Sequence, residues 1–224
     1  MVNDNSGHRQ RLRERFLNSD TSKFSDYELV EILLQISQPR KDIKPVAKSL
    51  INAFKSFSAV VCSEKERLSQ IKGMGPISIA LFKSIHESIC RILKEEITKN
   101  PILNTGEKVV EYCKARMAYL SAEEFRILFL NKKNMLISDE VQQRGTLDHA
   151  PIYPREIVKR CLELGASAII MVHNHPSGNC NPSKADISST YQVRDIAKMM
   201  NIFLHDHIIV SRNGCFSMRE HNII

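Results

Sequence analysis

The chain lacks any apolar run near the roughly 20 residues that a membrane-crossing helix requires, which argues against a helical membrane protein. Its opening stretch, MVNDNSGHRQRLRERF, has no apolar core, so no secretory leader is expected there. Cysteine is sparse and scattered at Cys62, Cys90, Cys113, Cys161, Cys180 and Cys215, with no C-x-x-C pair. That pattern excludes a disulfide framework and fits reduced thiols in a cytoplasmic protein. No repeat of fixed period and no low-complexity tract is present, which excludes solenoids and simple linkers. A Walker-type glycine loop and a Ser-His-Asp order are also missing, which argues against a nucleotide hydrolase and a serine hydrolase.

Acidic residues are in deficit, leaving a net charge of +7. The basic excess lies mainly in residues 1–100, a distribution that fits a nucleic-acid partner for that half or plain solubility. At 224 residues with 42% hydrophobic content, the chain suits two packed domains. The polar, proline-containing stretch KEEITKNPILN at 94–104 marks the boundary, giving a helical domain over 1–98 and a mixed domain over 103–224.

Within the first domain, residues 8–17 read as a helix with Leu12, Phe16 and Leu17 on one side and a solvated arginine run. Asp26 is placed as the cap of the helix DYELVEILLQI, and Pro45 opens another over 45–55. Leu68 to Ile85 reads as helix, tight turn, helix, the second running to about Leu93, with Gly73 and Gly75 in the turn. Backbone N–H groups at the start of that second helix can hold a phosphate, although Pro76 removes one donor.

The second domain alternates helices with strands. GEKVVEYCKARMAYL is helical, Phe125–Asn131 is a strand, and Lys132-Lys133-Asn134 turns it into a hairpin partner, MLISDEVQQ. YPREIVKRCLELG is a helix with Pro154 near its start and Gly165 just past its end. Ala166–His173 is an apolar strand, residues 184–200 a helix, and Leu204–Val210 a strand that turns at Asn213-Gly214 into a last one. The fold class is therefore α/β or α+β, a layered sheet-and-helix domain behind a small all-α domain.

The most informative string is His173-Asn174-His175-Pro176-Ser177-Gly178, continuing to Pro182-Ser183-Lys184-Ala185-Asp186. On a strand end, residues i and i+2 point to one side, so His173 and His175 can meet one ion. Pro176 and Gly178 turn the chain. Ser183-x-x-Asp186 starts a helix and puts a carboxylate in its first turn. Two imidazoles and a carboxylate suit zinc, and three protein ligands leave a position open for water. Read alone, each part has a plain alternative: two ordinary histidines, and an N-cap serine with its capping partner. Cys180, inside the same loop, is a thiol within potential reach of such an ion.

The whole string, H-x-H-P-S followed by Ser183 and Asp186, resembles the JAMM (MPN-plus) metalloprotease motif. With Gly178 and Pro182 it resembles the RadC branch of that family. FRILFLN at 125–131, Gly145-Thr146, Pro154-Arg155-Glu156 and Asp206-His207-Ile208-Ile209-Val210 look like RadC markers in RadC order. SDYELVEILL and the Gly73 turn look like its helical leader, a helix-hairpin-helix domain.

The resemblance implies a JAMM/MPN-type core, a β-sheet sandwiched by helices. It implies one Zn²⁺ per chain held by His173, His175 and Asp186, Glu123 as general base with Glu124 as the alternative register, and Ser183 as a donor to the oxyanion. The activity it implies is hydrolysis of a peptide or isopeptide bond. The alternative is a DNA-binding or DNA-repair accessory protein with a structural or vestigial metal site, contacting DNA phosphate through Gly73 and Gly75. Of the second H-x-H, His205-Asp206-His207, the resemblance takes up only the Asp-His part, which leaves His205 incidental and His207 a supporting or packing residue.

Overall fold

The computed structural model describes residues 5–145 and 152–224, so Thr146 of the Gly145-Thr146 pair lies outside the described residues. The chain divides into two compact units, Met1–Ser88 and Ile89–Ile224.

The first unit is helical: α1 (Asn5–Asn18), α2 (Asp26–Ser37), α3 (Lys44–Phe54), α4 (Phe57–Cys62), α5 (Lys65–Ser69) and the first part of α6 (Pro76–Thr98). Leu12, Val30, Leu34, Ala47, Leu50, Val60, Leu68 and Phe82 are buried. Their helical spacing is what the sequence showed; α4 was not legible because FSAVVC is too short to display a period. The cap of α2 is Ser25 rather than Asp26. Ser25 N–H donates to Glu28 Oε2 at 3.0 Å in a capping box, while Asp26 accepts the Phe57 N–H at 2.7 Å and so ties α4 to α2. The arginine run is only partly a solvated face. Arg9 donates to the carbonyls of Gln35 and Gln38 at 3.2 and 3.0 Å, satisfying orphan groups at the C-terminus of α2.

The second unit begins inside α6, ahead of the polar stretch at 94–104. Leu93 and Ile97 on the last turns of α6 pack into this unit's core, which is why the helix runs on to Thr98 and the compact unit starts earlier than composition indicated. Next come α7 (Gly106–Met117), β1 (Glu124–Leu130), β2 (Leu136–Arg144), α8 (Pro154–Leu164), β3 (Ala168–Asn174), α9 (Lys184–Met199), β4 (Phe203–Ser211) and β5 (Gly214–Ser217).

The strands form one mixed sheet in the order β2-β1-β3-β4-β5, with β3 and β4 parallel and the other neighbours antiparallel. Every residue of β1 and β3 is buried, as expected for central strands covered on both faces. Leu128, Leu130, Ile170, Val172 and Ile208 meet Val109, Tyr112 and Met117 of α7 on one face. Phe125, Ile127, Phe129, Ile169 and Met171 meet Ile157 and Cys161 of α8 and Val193 and Ala197 of α9 on the other. The architecture is a sheet between helical layers, as the fold class predicted. Gly165 ends α8 with φ +63°, a left-handed cap that glycine adopts without penalty.

Candidate metal centre

The carboxyl end of β3 positions the site. Alternation along β3 sends Ile169 and Met171 to the α8/α9 face, and His173 follows them. The chain then turns through Gly178, whose φ of +93° suits only glycine and where an added Cβ would meet Asn213 Nδ2 at 2.7 Å. The turn delivers Ser183 to the N-cap of α9. Ser183 N–H donates to Asp186 Oδ2 at 2.7 Å, and Asp186 N–H donates to Ser183 Oγ at 3.1 Å. This box anchors the Asp186 carboxylate within the first turn, facing back to the strand end.

Three side chains converge there. His173 Nε2 and His175 Nε2 are 2.9 Å apart, and Asp186 Oδ1 and Oδ2 lie 3.4 and 3.6 Å from them respectively. One ligand atom from each falls within 4.8 Å of the others, and no other such group of three occurs among the described residues. His175 Nδ1 donates to the Asn179 carbonyl at 2.7 Å, which directs the lone pair of Nε2 inward. A set of two imidazole nitrogens and a carboxylate is a donor set for a divalent cation, and it fits zinc by ligand type.

The electrostatics follow from depth. Burial pushes the His173 imidazole down to about 4, despite the Asp186 charge beside it. Burial also acts to raise the Asp186 carboxyl, but the His175 hydrogen bond, the His173 imidazole and the Ser183 hydrogen bonds outweigh it and hold the group below the usual carboxylate range. His175 is raised, chiefly by its hydrogen bond to Asp186. His173 and Asp186 are thus held in the neutral and ionised forms that a metal requires, whereas His175 gives up the proton it shares with Asp186 when an ion binds.

The two neighbouring glutamates part company. Glu124 is buried on the α7 face, where its carboxylate accepts from Arg126 Nη2 and Arg144 Nε, both at 2.9 Å. Arg126 in turn pairs with Asp139 at 2.5 Å, and Tyr112 donates to the same carboxylate. Glu123, half-buried just before β1, takes the opposite side by alternation, and its charge raises the His175 pKa. Glu124 is thus committed to the two arginines on the α7 face, while the Glu123 charge acts on His175.

Of the remaining sequence candidates, His207 is fully buried and hydrogen-bonds to His173 and to Thr190 of α9. His205 does not share its face, because β4 carries an extra residue there: Ile169 pairs with Leu204 and Ile170 with Asp206. The bulge sends His205 to Asn134, 2.7 Å away. Cys180 is outside the three-ligand group; its Sγ lies 3.6 Å from where a Cβ on Gly214 would stand. A separate cavity of 530 Å³, lined by Val109, Ile170, Asp206, Ile208 and Arg219 among others, includes none of the three ligands. Sequence reasoning missed Thr190, whose only signal was its place one helical turn after Asp186.

In the first unit, Gly73 and Gly75 form the turn between α5 and α6. Gly73 has φ +97°, and its carbonyl accepts from Gln38 Nε2 at 2.8 Å. Both glycines line a 410 Å³ cavity with Arg40, Lys41, Pro76, Ile77 and Ser78.

Comparison with known proteins supplies the family. A family model described as "RadC-like JAB domain" matches residues 103–223, and one described as "UPF0758 N-terminal" matches residues 5–80. A protein of Rhodobacter capsulatus named "UPF0758 protein" is 42% identical over 213 residues, spanning 95% of this chain and 100% of that one.

Proposed function

This chain belongs to the RadC-like JAB domain family, and on that premise we propose that it is a zinc-dependent hydrolase of the JAMM type, cleaving an amide or isopeptide bond in a peptide substrate. The observation that carries the reading is the convergence of His173, His175 and Asp186 at the end of the central strand, supported by the action of the Glu123 charge on His175.

His173, His175 and Asp186 would hold the ion. Zinc in a three-ligand site supplies Lewis acidity, lowering the pKa of water toward about 7 and polarising a carbonyl. Glu123 takes the proton of the attacking water and passes it to the leaving amine, general acid–base work that typically contributes about 10²–10⁴-fold. Ser183 uses its oxygen as acceptor in the cap, so its O–H serves as a donor to the oxyanion; such a donor is commonly worth about 3 kcal/mol. Asp186 is held by the capping box, and His175 by Asn179, so the ligands are oriented before any ion arrives.

Elemental analysis of the purified, untagged protein beside Asp186→Ala tests the reading. About one zinc per chain, lost in the variant, is the expected result. Wild-type protein that is metal-free and cannot be reconstituted overturns it.

A second reading concerns the first unit. Arg40 and Lys41 stand with the Gly73–Pro76 turn around one cavity at the start of α6, which favours contact with a nucleic-acid phosphate. Binding of duplex, forked and single-stranded DNA as a function of salt tests it. Absence of salt-dependent binding removes that reading and leaves the hydrolase reading untouched.

A further inference from the structure

The paired register of β1 and β3 ends at Phe125 and His173. The next positions along the two chains are Glu124 and Asn174, and there a side chain takes over from the ladder. Asn174 Oδ1 accepts the Glu124 N–H at 2.7 Å, and Asn174 Nδ2 donates to the Ala122 carbonyl at 3.1 Å. These are the backbone groups on either side of Glu123. The partners fix the orientation of the carboxamide, since only its oxygen can accept from an N–H and only its NH₂ can donate to a carbonyl. Asn174 is fully buried, and so is its bond to the Glu124 N–H, which has no water as a substitute partner. On the other flank, the Glu123 carbonyl accepts the Gly145 N–H at 2.8 Å. The backbone before, at and after Glu123 is therefore held at three points.

We propose that Asn174 is the positioning residue for Glu123: the residue between the two histidines sets how far the Glu123 carboxylate stands from the metal centre. The proposal rests on the hydrolase reading and deepens it. Its physical basis is that the two histidines and the base come from different segments, the end of β3 and the residue before β1, where the β1–β3 backbone pairing has stopped. A general base works only within about 2.6–3.2 Å of its proton. A displacement of about 1 Å costs on the order of 100-fold. Asn174 removes that freedom by tying the Glu123 backbone to the same short segment that supplies His173 and His175. Alanine at 174 makes neither bond. Aspartate keeps the acceptor for Glu124 N–H and loses the donor to Ala122.

The test uses the full chain loaded with Co²⁺, whose visible absorption follows protonation around the ion. Wild type, Glu123→Gln, Asn174→Ala, Asn174→Asp and the Glu123→Gln/Asn174→Ala double variant are titrated with pH. Cobalt binding is expected to persist in all five. Glu123→Gln moves the pH midpoint of the spectrum. Asn174→Ala moves it in the same direction, Asn174→Asp by less, and the double variant no further than Glu123→Gln alone, the signature of one residue acting through the other.

A wild-type midpoint in Asn174→Ala, with Glu123→Gln shifted, overturns the proposal alone. Loss of cobalt in Asn174→Ala also overturns it, since the residue would then act on the histidines. An unmoved midpoint in Glu123→Gln removes the general-base role and this proposal with it. A wild type that binds no cobalt removes the metal reading as well. If Asn174→Ala does not fold, Asn174→Asp, which keeps the Glu124 bond, decides between the same outcomes.

Discussion

His207 Nε2 stands 2.8 Å from His173 Nδ1, and the direction of that hydrogen bond is set from outside the pair. Thr190 Oγ1 donates to the Asp186 carbonyl at 2.5 Å, which uses its only proton. It must therefore accept from His207 Nδ1, 2.6 Å away. His207 Nε2 is then left as an acceptor, His173 Nδ1 carries the proton, and His173 Nε2 presents its lone pair to His175 and Asp186. A threonine one turn into α9 thus assigns the tautomer of a strand residue.

Breaking this chain lowers metal affinity without touching a ligand. His207→Ala and Thr190→Val are each expected to weaken zinc binding by about 10–100-fold, the usual effect of losing a group that orients a ligand. Thr190→Ser, which keeps the hydroxyl, restores it. Competition with a chromophoric chelator measures all three. Unchanged affinity in both disruptive variants would mean that backbone geometry alone orients His173.

The adjacent glutamates are expected to separate cleanly in a melting experiment. Glu124→Gln removes a buried charge shared by Arg126 and Arg144 and strands part of the Arg126 charge. Breaking one member of a buried pair costs about 3–5 kcal/mol. Glu123→Gln, on a half-buried side chain, should leave thermal stability near wild type. Equal losses in the two variants would contradict the assignment of the carboxylates to opposite faces.

Acid should destabilise the metal-free protein well above the carboxylate range. His173 falls to about 4 in the folded chain from an ordinary 6.5, so in that window the unfolded chain takes up a proton that the folded chain refuses. Its contribution is complete above the unfolded pKa and declines by on the order of 3 kcal/mol as pH falls through the folded one. His207, held well below 6.5 by burial, acts in the same sense. His175 is raised and acts oppositely, losing its contribution as pH rises through its folded pKa. Melting of chelator-treated protein between about pH 7 and pH 5 should show the midpoint falling with acid. A flat profile would sink the claim.

Gly73 and Gly75 look alike in sequence and are not equivalent. At Gly73, φ is +97° and an added Cβ would stand 2.7 Å from Val46 Cγ2, whereas a Cβ at Gly75 meets nothing within 4 Å. Gly73→Ala is expected to destabilise the chain by more than about 1 kcal/mol. Gly75→Ala should be close to neutral. Denaturant unfolding of the two variants distinguishes them, and similar midpoints would refute the difference.

Local sequence alone carried much of this protein. Strand alternation and helix capping, rules acting within a few residues, put His173 and His175 on one side of a strand end and Asp186 in a first helical turn. It was the likeness of the whole string to the JAMM motif that made the three a candidate ligand set. Periodicity and Gly/Pro punctuation placed most helices and strands for the same reason. Tertiary structure decided what depends on pairing between distant segments. The β1 register commits Glu124 to Arg126 and Arg144, and the proposal of Glu123 as the base rests on that. The separation of His205 from His207 follows from a bulge visible only against β3. The roles of Asn174 and Thr190 depend on backbone groups and rings brought to them by other elements. A side chain's type states what it can donate or accept; only the packed sheet determines which partner stands within 3 Å of it.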